Sequence, residues 1–288
     1  MRRSLFVSFL GVLLLASASA VAYTDDDQSL TPQSLIDRHL ATIGTSDARA
    51  AHRACGVVGT AKFTIAIGGA GQADGSFKLA SDDLKLRMVM KFNTPNYMGE
   101  DFTTDGSKVN VANLVGSKTT LLGPFFADRM PLLKERLFGG SLSGTWVFLD
   151  PKAPSKVKYN GLKTVEGRSL HELEFEPRKD VGDVRIRIYL EPGSFHHVMT
   201  TYDTKMVAQT SRFSTTNSRQ MGSLASQESR ISLREQFDDF KTVDGVTIPM
   251  RWTIDLTNDA KGASQLRWII SVEDVMHGEI DPASFKIR

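Results

Sequence analysis

Beyond residue 60 the chain alternates apolar and polar positions with a period of two, the mark of half-buried β-strands. Leu84, Leu86, Met88, Met90 and Phe92 share one phase, while Lys85, Arg87, Val89 and Lys91 lie between them. Val184, Ile186, Ile188 and Leu190 repeat the pattern around Arg185 and Arg187. Ile248, Met250, Trp252, Ile254 and Leu256 form a third set, and Leu266, Trp268, Ile270 and Val272 a fourth. Phe63, Ile65 and Ile67 begin the series, and Phe77 and Leu79 continue it. Strands buried on both faces would be apolar throughout; these are apolar on one face, which predicts antiparallel pairing with one wet side. Turn dipeptides punctuate the runs at Asp105-Gly106, Asn160-Gly161, Glu166-Gly167, Pro192-Gly193 and Asp244-Gly245. The pattern predicts a mainly β (α+β) chain built on one large, strongly bent antiparallel sheet. Its apolar face must be covered by helices or must enclose a cavity.

Two segments change period. Thr31 can cap a helix, Pro32 suits its first turn and Gly44 can end it, with Leu35, Ile36, His39, Leu40 and Ile43 on one broad face. His39 there reads as a packed or boundary residue. Ser46 to Ala54 can add a short second helix. An internal helix is expected from Phe125 through Pro131 to Phe138, ended by Gly139-Gly140. Proline near its start suits a first turn or breaks the helix in two. This bulky apolar segment is either a core-capping helix or a movable lid over an apolar cavity, with lid candidates Phe125, Phe126, Met130, Leu133 and Leu137. Ala208 to Gln227 has 12 Ser, Thr, Asn or Gln among its twenty residues and reads as a hairpin tip or exposed edge.

The first 22 residues carry Arg2 and Arg3, an apolar run from Leu5 to Leu15 and small residues through Ala18-Ser19-Ala20-Val21-Ala22. These are the marks of a secretory signal peptide, cleaved after Ala20 or Ala22. The run is short for a membrane span, which needs about 20 residues. The expected organisation is a signal peptide at 1–22, a flexible acidic linker at 23–30 and one domain at 31–288, located in the periplasm. Removing the signal changes the charge picture. The chain has 35 Lys+Arg against 33 Asp+Glu, and residues 1–22 hold two Arg and no acid, which leaves 33 against 33. A neutral chain is a poor nucleic-acid binder, because such binding rests on excess cations facing phosphates. Cys55 is the only cysteine, so no internal disulfide forms and stability must come from packing.

Motifs for chemistry are lacking. Gly140-Ser141-Leu142-Ser143-Gly144 resembles a nucleophile elbow, but its middle residue is Leu142. His171-Glu172 is not followed by a second His at the zinc-protease spacing. His196 and His197 are adjacent on a strand and point to opposite faces. Gly68-Gly69-Ala70-Gly71 reads as a turn between strands without the context of a phosphate loop. No cofactor, no metal and no enzymatic activity are expected.

The C-terminal part carries a resemblance. Phe240 through Pro249 reads as a strand, a tight Asp244-Gly245 turn and a strand with proline, followed by a charged hairpin and Ile280-Asp281-Pro282-Ala283-Ser284-Phe285. Together with Tyr189-Leu190-Glu191-Pro192-Gly193-Ser194-Phe195, the signal peptide and the first amphipathic helix, this resembles the LolA/LolB-like superfamily of bacterial outer-membrane lipoprotein-sorting proteins. The resemblance covers most of residues 31–288 through short motifs. It implies a half-open antiparallel barrel whose mouth is closed by helices, and acyl chains as cargo in the apolar interior. No ligand residue aligns one by one, so none is carried over.

The expected function is therefore a periplasmic carrier or binding protein for a lipid or a lipidated protein, with transient contacts to envelope membrane proteins. Leu86, Met88, Met90, Ile186, Ile188, Met250, Trp252 and Trp268 are the candidate lining residues. The alternative is an envelope scaffold with a solid core, and the third possibility is a hydrolase with a site assembled from scattered residues. A cavity of several hundred Å3 inside the sheet separates the first two.

Overall fold

A computed structural model of the chain describes residues 30–67, 71–94, 97–112, 121–127, 129–150, 156–177, 184–206, 229–259 and 264–287. The expected signal peptide, nearly all of the linker, residues 68–70 of the glycine turn and the tract Ala208–Gln227 lie outside the described residues.

Among the described residues, twelve strands form one antiparallel sheet. They are β1 (Ala54–Ile67), β2 (Gln72–Asp82), β3 (Lys85–Thr94), β4 (Tyr97–Thr104), β5 (Val109–Val111) and β6 (Lys156–Val165). The second half adds β7 (Arg168–Glu176), β8 (Val184–Leu190), β9 (His197–Met206), β10 (Ser229–Val243), β11 (Val246–Asn258) and β12 (Ser264–His277). Their order is β5-β4-β3-β2-β1-β12-β11-β10-β9-β8-β7-β6, two meanders joined where β1 pairs with β12. The two end strands, β5 and β6, do not pair with each other, and the sheet is a half-open barrel.

The alternation places one face inside. Phe63, Phe77, Leu79, Leu86, Met88, Met90, Phe92, Ile186, Ile188, Leu190, Ile254, Ile270 and Trp268 are all buried. The intervening residues face out and pair across strands, as Arg87 does with Asp101, Arg187 with Asp203 and Arg267 with Asp255. Glu166-Gly167 and Asp244-Gly245 both adopt positive φ and make the tight turns of two hairpins. Two expected details shift. Leu84 is exposed and β3 begins at Lys85, because the β2–β3 turn takes Asp83 at φ 56° and Leu84 with it. Asn160-Gly161 is no turn: β6 runs through it, and Gly161 at φ 83° forms a bulge where the β6–β7 register shifts between Tyr159 and Leu162.

Helix α1 (Pro32–Ile43) starts in a reciprocal box in which Thr31 Oγ1 accepts from the Ser34 amide and Ser34 Oγ accepts from the Thr31 amide. It buries Leu35, His39 and Ile43. Gly44 ends it at φ 149°, where a Cβ would lie 2.4 Å from the Gly245 carbonyl oxygen. Helix α2 (Ser46–His52) follows with Thr45 as its cap and brings His52 fully inside.

The continuous helix expected over Phe125–Phe138 is absent. In its place are two single-turn helices, α3 (Gly123–Ala127) and α4 (Met130–Lys134). Arg129 at φ −135° breaks the helical run between them, and Pro131 supplies no amide to continue it. Arg136, Gly139 and Gly140 then take positive φ, so the chain coils back instead of extending.

Candidate functional site

The strand order dictates what fills the half-barrel. β5 and β6 are consecutive in sequence yet sit at opposite ends of the sheet, so the chain between Val111 and Lys156 must cross from one free end to the other. The described part of this connection, residues 121–127 and 129–150, lies against the apolar face. Phe126, Leu122, Leu137 and Leu142 have no exposed surface, and Leu132, Leu133, Phe125, Phe138 and Trp146 are buried with them. Phe126 meets the Phe102 ring edge-on at 5.1 Å, and Phe138 meets Trp252 at 5.0 Å. Trp146 stacks on His197 at 4.6 Å with 12° between the planes.

The candidate lining residues Leu86, Met88, Met90, Ile186, Ile188, Trp252 and Trp268 are all buried on this face, while Met250 is half-buried. Trp252 touches the crossing segment directly through Phe138; Trp268 packs on Phe63 at 5.4 Å. Among the lid candidates, Phe125, Phe126, Leu133 and Leu137 are buried, whereas Met130 is 44% exposed. The segment is thus an internal plug that occupies the space a cover would enclose. Phe102, Phe237, Phe138 and Trp146 belong to the same interior and carry no distinguishing sequence signal beyond being aromatic.

Buried polar groups on the walls hold the plug. Glu235, on β10 between Leu233 and Phe237, accepts from the Gly139 amide at 2.7 Å and from the Tyr202 hydroxyl at 2.7 Å. Burial pushes its carboxyl up to about 8, although both of those hydrogen bonds pull the other way. Glu100 on β4 accepts from the Leu121, Leu122 and Gly123 amides at 2.8, 2.9 and 3.1 Å. Tyr97 links this carboxylate to the sheet, donating to Glu100 at 2.9 Å and accepting from Trp268 Nε1 at 2.7 Å. Ser81 Oγ accepts from the Gly144 amide at 3.1 Å.

Three histidines complete the set. His39 stands 3.0 Å from the Phe195 carbonyl through Nδ1 and accepts from Trp146 Nε1 through Nε2 at 3.1 Å. His52 Nε2 lies 3.1 Å from the Ser141 carbonyl, and its Nδ1 meets His277 Nε2 at 3.1 Å. Burial lowers both His39 and His52 to about 4, so they are neutral near pH 7. Burial also holds His197 well below the usual imidazole range. The Cys55 thiol is pushed up by burial and stands 3.1 Å from Ser81 Oγ, the setting of a packed side chain. Wall and plug therefore meet through uncharged histidines, the raised carboxyl of Glu235, the Glu100 side chain, a buried bond from the Arg129 guanidinium to Thr204 Oγ1 and apolar rings. Among the described residues no cluster of three His, Cys, Asp or Glu is placed to hold a metal ion.

Solved LolA superfamily structures are similar to this fold. One is the LolA superfamily protein from Nitrosomonas europaea, at 11% identity and TM-score 0.48, covering 90% of this chain and 99% of that one. A putative outer membrane lipoprotein-sorting protein domain from Vibrio parahaemolyticus is similar at 10% identity and TM-score 0.44, covering 87% and 97%. A DUF1329 family protein from Desulfovibrio piger is similar at 10% identity and TM-score 0.43, covering 88% and 96%. No family model and no curated protein matches the chain. These likenesses concern fold.

Proposed function

We propose that this is an exported, non-catalytic binding protein that takes the acyl chain of a lipid or lipidated protein into its half-barrel when residues 122–149 withdraw. The observation that carries this reading is the nature of the plug. The apolar face is covered by a connection that, among its described residues, holds two five-residue helices and short 3-10 turns. Its backbone bonds close within the segment itself, as from Phe125 to Leu122, Val147 to Arg136 and Leu149 to Trp146, so its departure leaves the sheet's ladders intact. Burial of Leu122, Phe125, Phe126, Leu132, Leu133, Leu137, Phe138, Leu142 and Trp146 holds the segment in place, and an acyl chain that takes over the same surface, at about 0.8 kcal/mol for each buried methylene, offsets part of that burial. The periplasm is the compartment this function requires and the one the N-terminal sequence addresses.

One observation favours a second reading, an interaction protein with a permanently solid core. Buried and half-buried hydrogen bonds tie the plug to Glu235, Glu100 and Ser81 on the sheet and to His52 on α2. Native mass spectrometry of protein purified from its own cell envelope separates the two. The carrier retains a co-purifying lipid in part of the population; a protein that is always lipid-free, and stays so after incubation with long-chain lipids, has the solid core.

A further inference from the structure

A second apolar surface lies on the opposite, outer face of the sheet, where β1, β2 and β3 are crossed by the C-terminal tail. After β12 the chain turns back at Gly278 and makes a 3-10 turn at Pro282–Phe285, capped by Asp281 through the Ala283 amide. Phe285 is buried, and Arg87 Nη1 donates to the Ser284 carbonyl at 3.3 Å, which pins the tail across β3. Between tail and sheet a groove of about 600 Å3 remains. That is within the range of small-molecule sites, about 300–1,000 Å3.

The groove has a direction. Under the tail its surface is apolar: Ile280 and the 52%-exposed Met276 stand over Gly56, whose missing side chain leaves their ends within 3.7 Å of where a Cβ would be. Val58 and Val89 continue the floor outward on either side of Lys78. Lys91 follows diagonally across from Lys78 and opposite Ser76. Diagonal neighbours on paired strands lie about 7–8 Å apart, so the two ammonium groups can meet one anion. Neither lysine has an acid opposite it: Lys78 lies between Val58 and Val89, and Lys91 between Ser76 and Gly99. Among the acids nearby, the exposed Asp74 stands opposite Lys62 on β1 and diagonal to Lys91, and the other three are engaged elsewhere. Asp101 holds Arg87 in a two-point ion pair, Asp274 accepts from the Val275 amide, and Asp281 caps the tail.

We propose that this groove binds a single-chain amphiphile with an anionic head, the chain running under Ile280 and Met276 and the head held by Lys78 and Lys91. The charge pattern selects a negative head. The position selects an acyl chain over a peptide, because the floor is a sheet face whose main-chain groups are already paired within the β1–β2–β3 ladder. A peptide laid there would leave its own amides without partners, whereas an alkyl chain needs none. This site is separate from the interior and does not depend on the plug leaving.

Methyl-labelled methionine distinguishes the two faces, since Met276 lines the groove while Met88 and Met90 are buried inside. The probe is dodecyl phosphate below its micelle concentration, with butyl phosphate and dodecyltrimethylammonium for comparison. Dodecyl phosphate is expected to shift the Met276 methyl resonance in a saturable way and to leave Met88 and Met90 in place. The other two probes are expected to act at least tenfold more weakly. The exposed double variant K78Q/K91Q should bind dodecyl phosphate at least tenfold more weakly while its Met88 and Met90 resonances show an unchanged core. An unmoved Met276, shifts confined to Met88 and Met90, or equal affinity in K78Q/K91Q overturns the proposal. So does binding to anionic phospholipid vesicles with no response to the monomeric probe.

Discussion

Replacing Glu235 by Gln isolates one of the bonds that seat the plug. Glu235 has no exposed surface, and burial raises its carboxyl from 4.5 to about 8. In the unfolded chain the group ionises near 4.5; in the folded chain it keeps its proton until about 8. A group raised in this way contributes stability that is full below 4.5 and is lost as pH rises through about 8. One unit of such difference is about 1.4 kcal/mol, so the wild type loses about 3–4 kcal/mol between pH 5 and pH 8 through this group. Glutamine keeps an oxygen for the Gly139 amide and a polar partner for Tyr202 but cannot ionise. The E235Q variant is therefore expected to gain about 3 kcal/mol on the wild type between pH 5 and pH 8, whatever its absolute stability at either pH. Urea titrations at the two pH values, followed by the fluorescence of the buried Trp146, Trp252 and Trp268, measure this double difference. Equal pH dependence in the two proteins would refute the claim that a buried, protonated Glu235 anchors the plug.

Two further outcomes follow from the same interior. In the E235Q background, stability is expected to fall as pH drops from about 6.5 towards 4, because His39 and His52 are lowered to about 4 when folded and protonate first in the unfolded chain. The loss is about 2 kcal/mol for each histidine between pH 6.5 and 4.5, and a flat urea midpoint over that range contradicts it. Gly140→Ala is expected to cost about 3 kcal/mol, since Gly140 takes φ 51° and an added Cβ would stand 2.7 Å from His197 Nδ1 and 2.9 Å from Phe237 Cζ. Gly167→Ala, at φ 78° with nothing within 4 Å, should cost only about 1 kcal/mol; matching thermal shifts for the two variants would show that the plug is not seated on His197.

The sheet was legible because a strand's period of two sorts side chains by face without knowledge of neighbours. Met88, Ile186, Trp252 and Trp268 were placed inside by alternation alone, and the structure buries each of them. Where a local signal competes with tertiary pairing, the signal misleads. Asn160-Gly161 has turn chemistry, yet continued pairing of β6 with β7 absorbs it as a bulge. The segment from Phe125 to Phe138 has a helical pattern of apolar residues, but it packs inside the half-barrel, so Phe125, Phe126, Leu132, Leu133, Leu137 and Phe138 find burial without one helical face while Met130 stays exposed. Its role as plug follows from strand order, which no local window contains. Glu235 was visible in principle: it occupies the inward phase of Leu233-Glu235-Phe237, and a carboxylate in the apolar phase of a strand must be neutral or bonded. Glu100 had no such mark, because its strand is mostly buried on both faces.

Hydrogen exchange with and without palmitate tests most directly whether residues 122–149 yield the interior to an acyl chain. The amides of Leu122, Gly123, Gly139 and Gly144 donate to wall residues and so report the seated plug. If the segment is an exchangeable plug, palmitate speeds exchange at these four amides while β10 and β11 keep their slow rates. If those amides exchange as slowly as Ile248–Leu256 and ignore palmitate, the segment is permanent core and the carrier function is wrong.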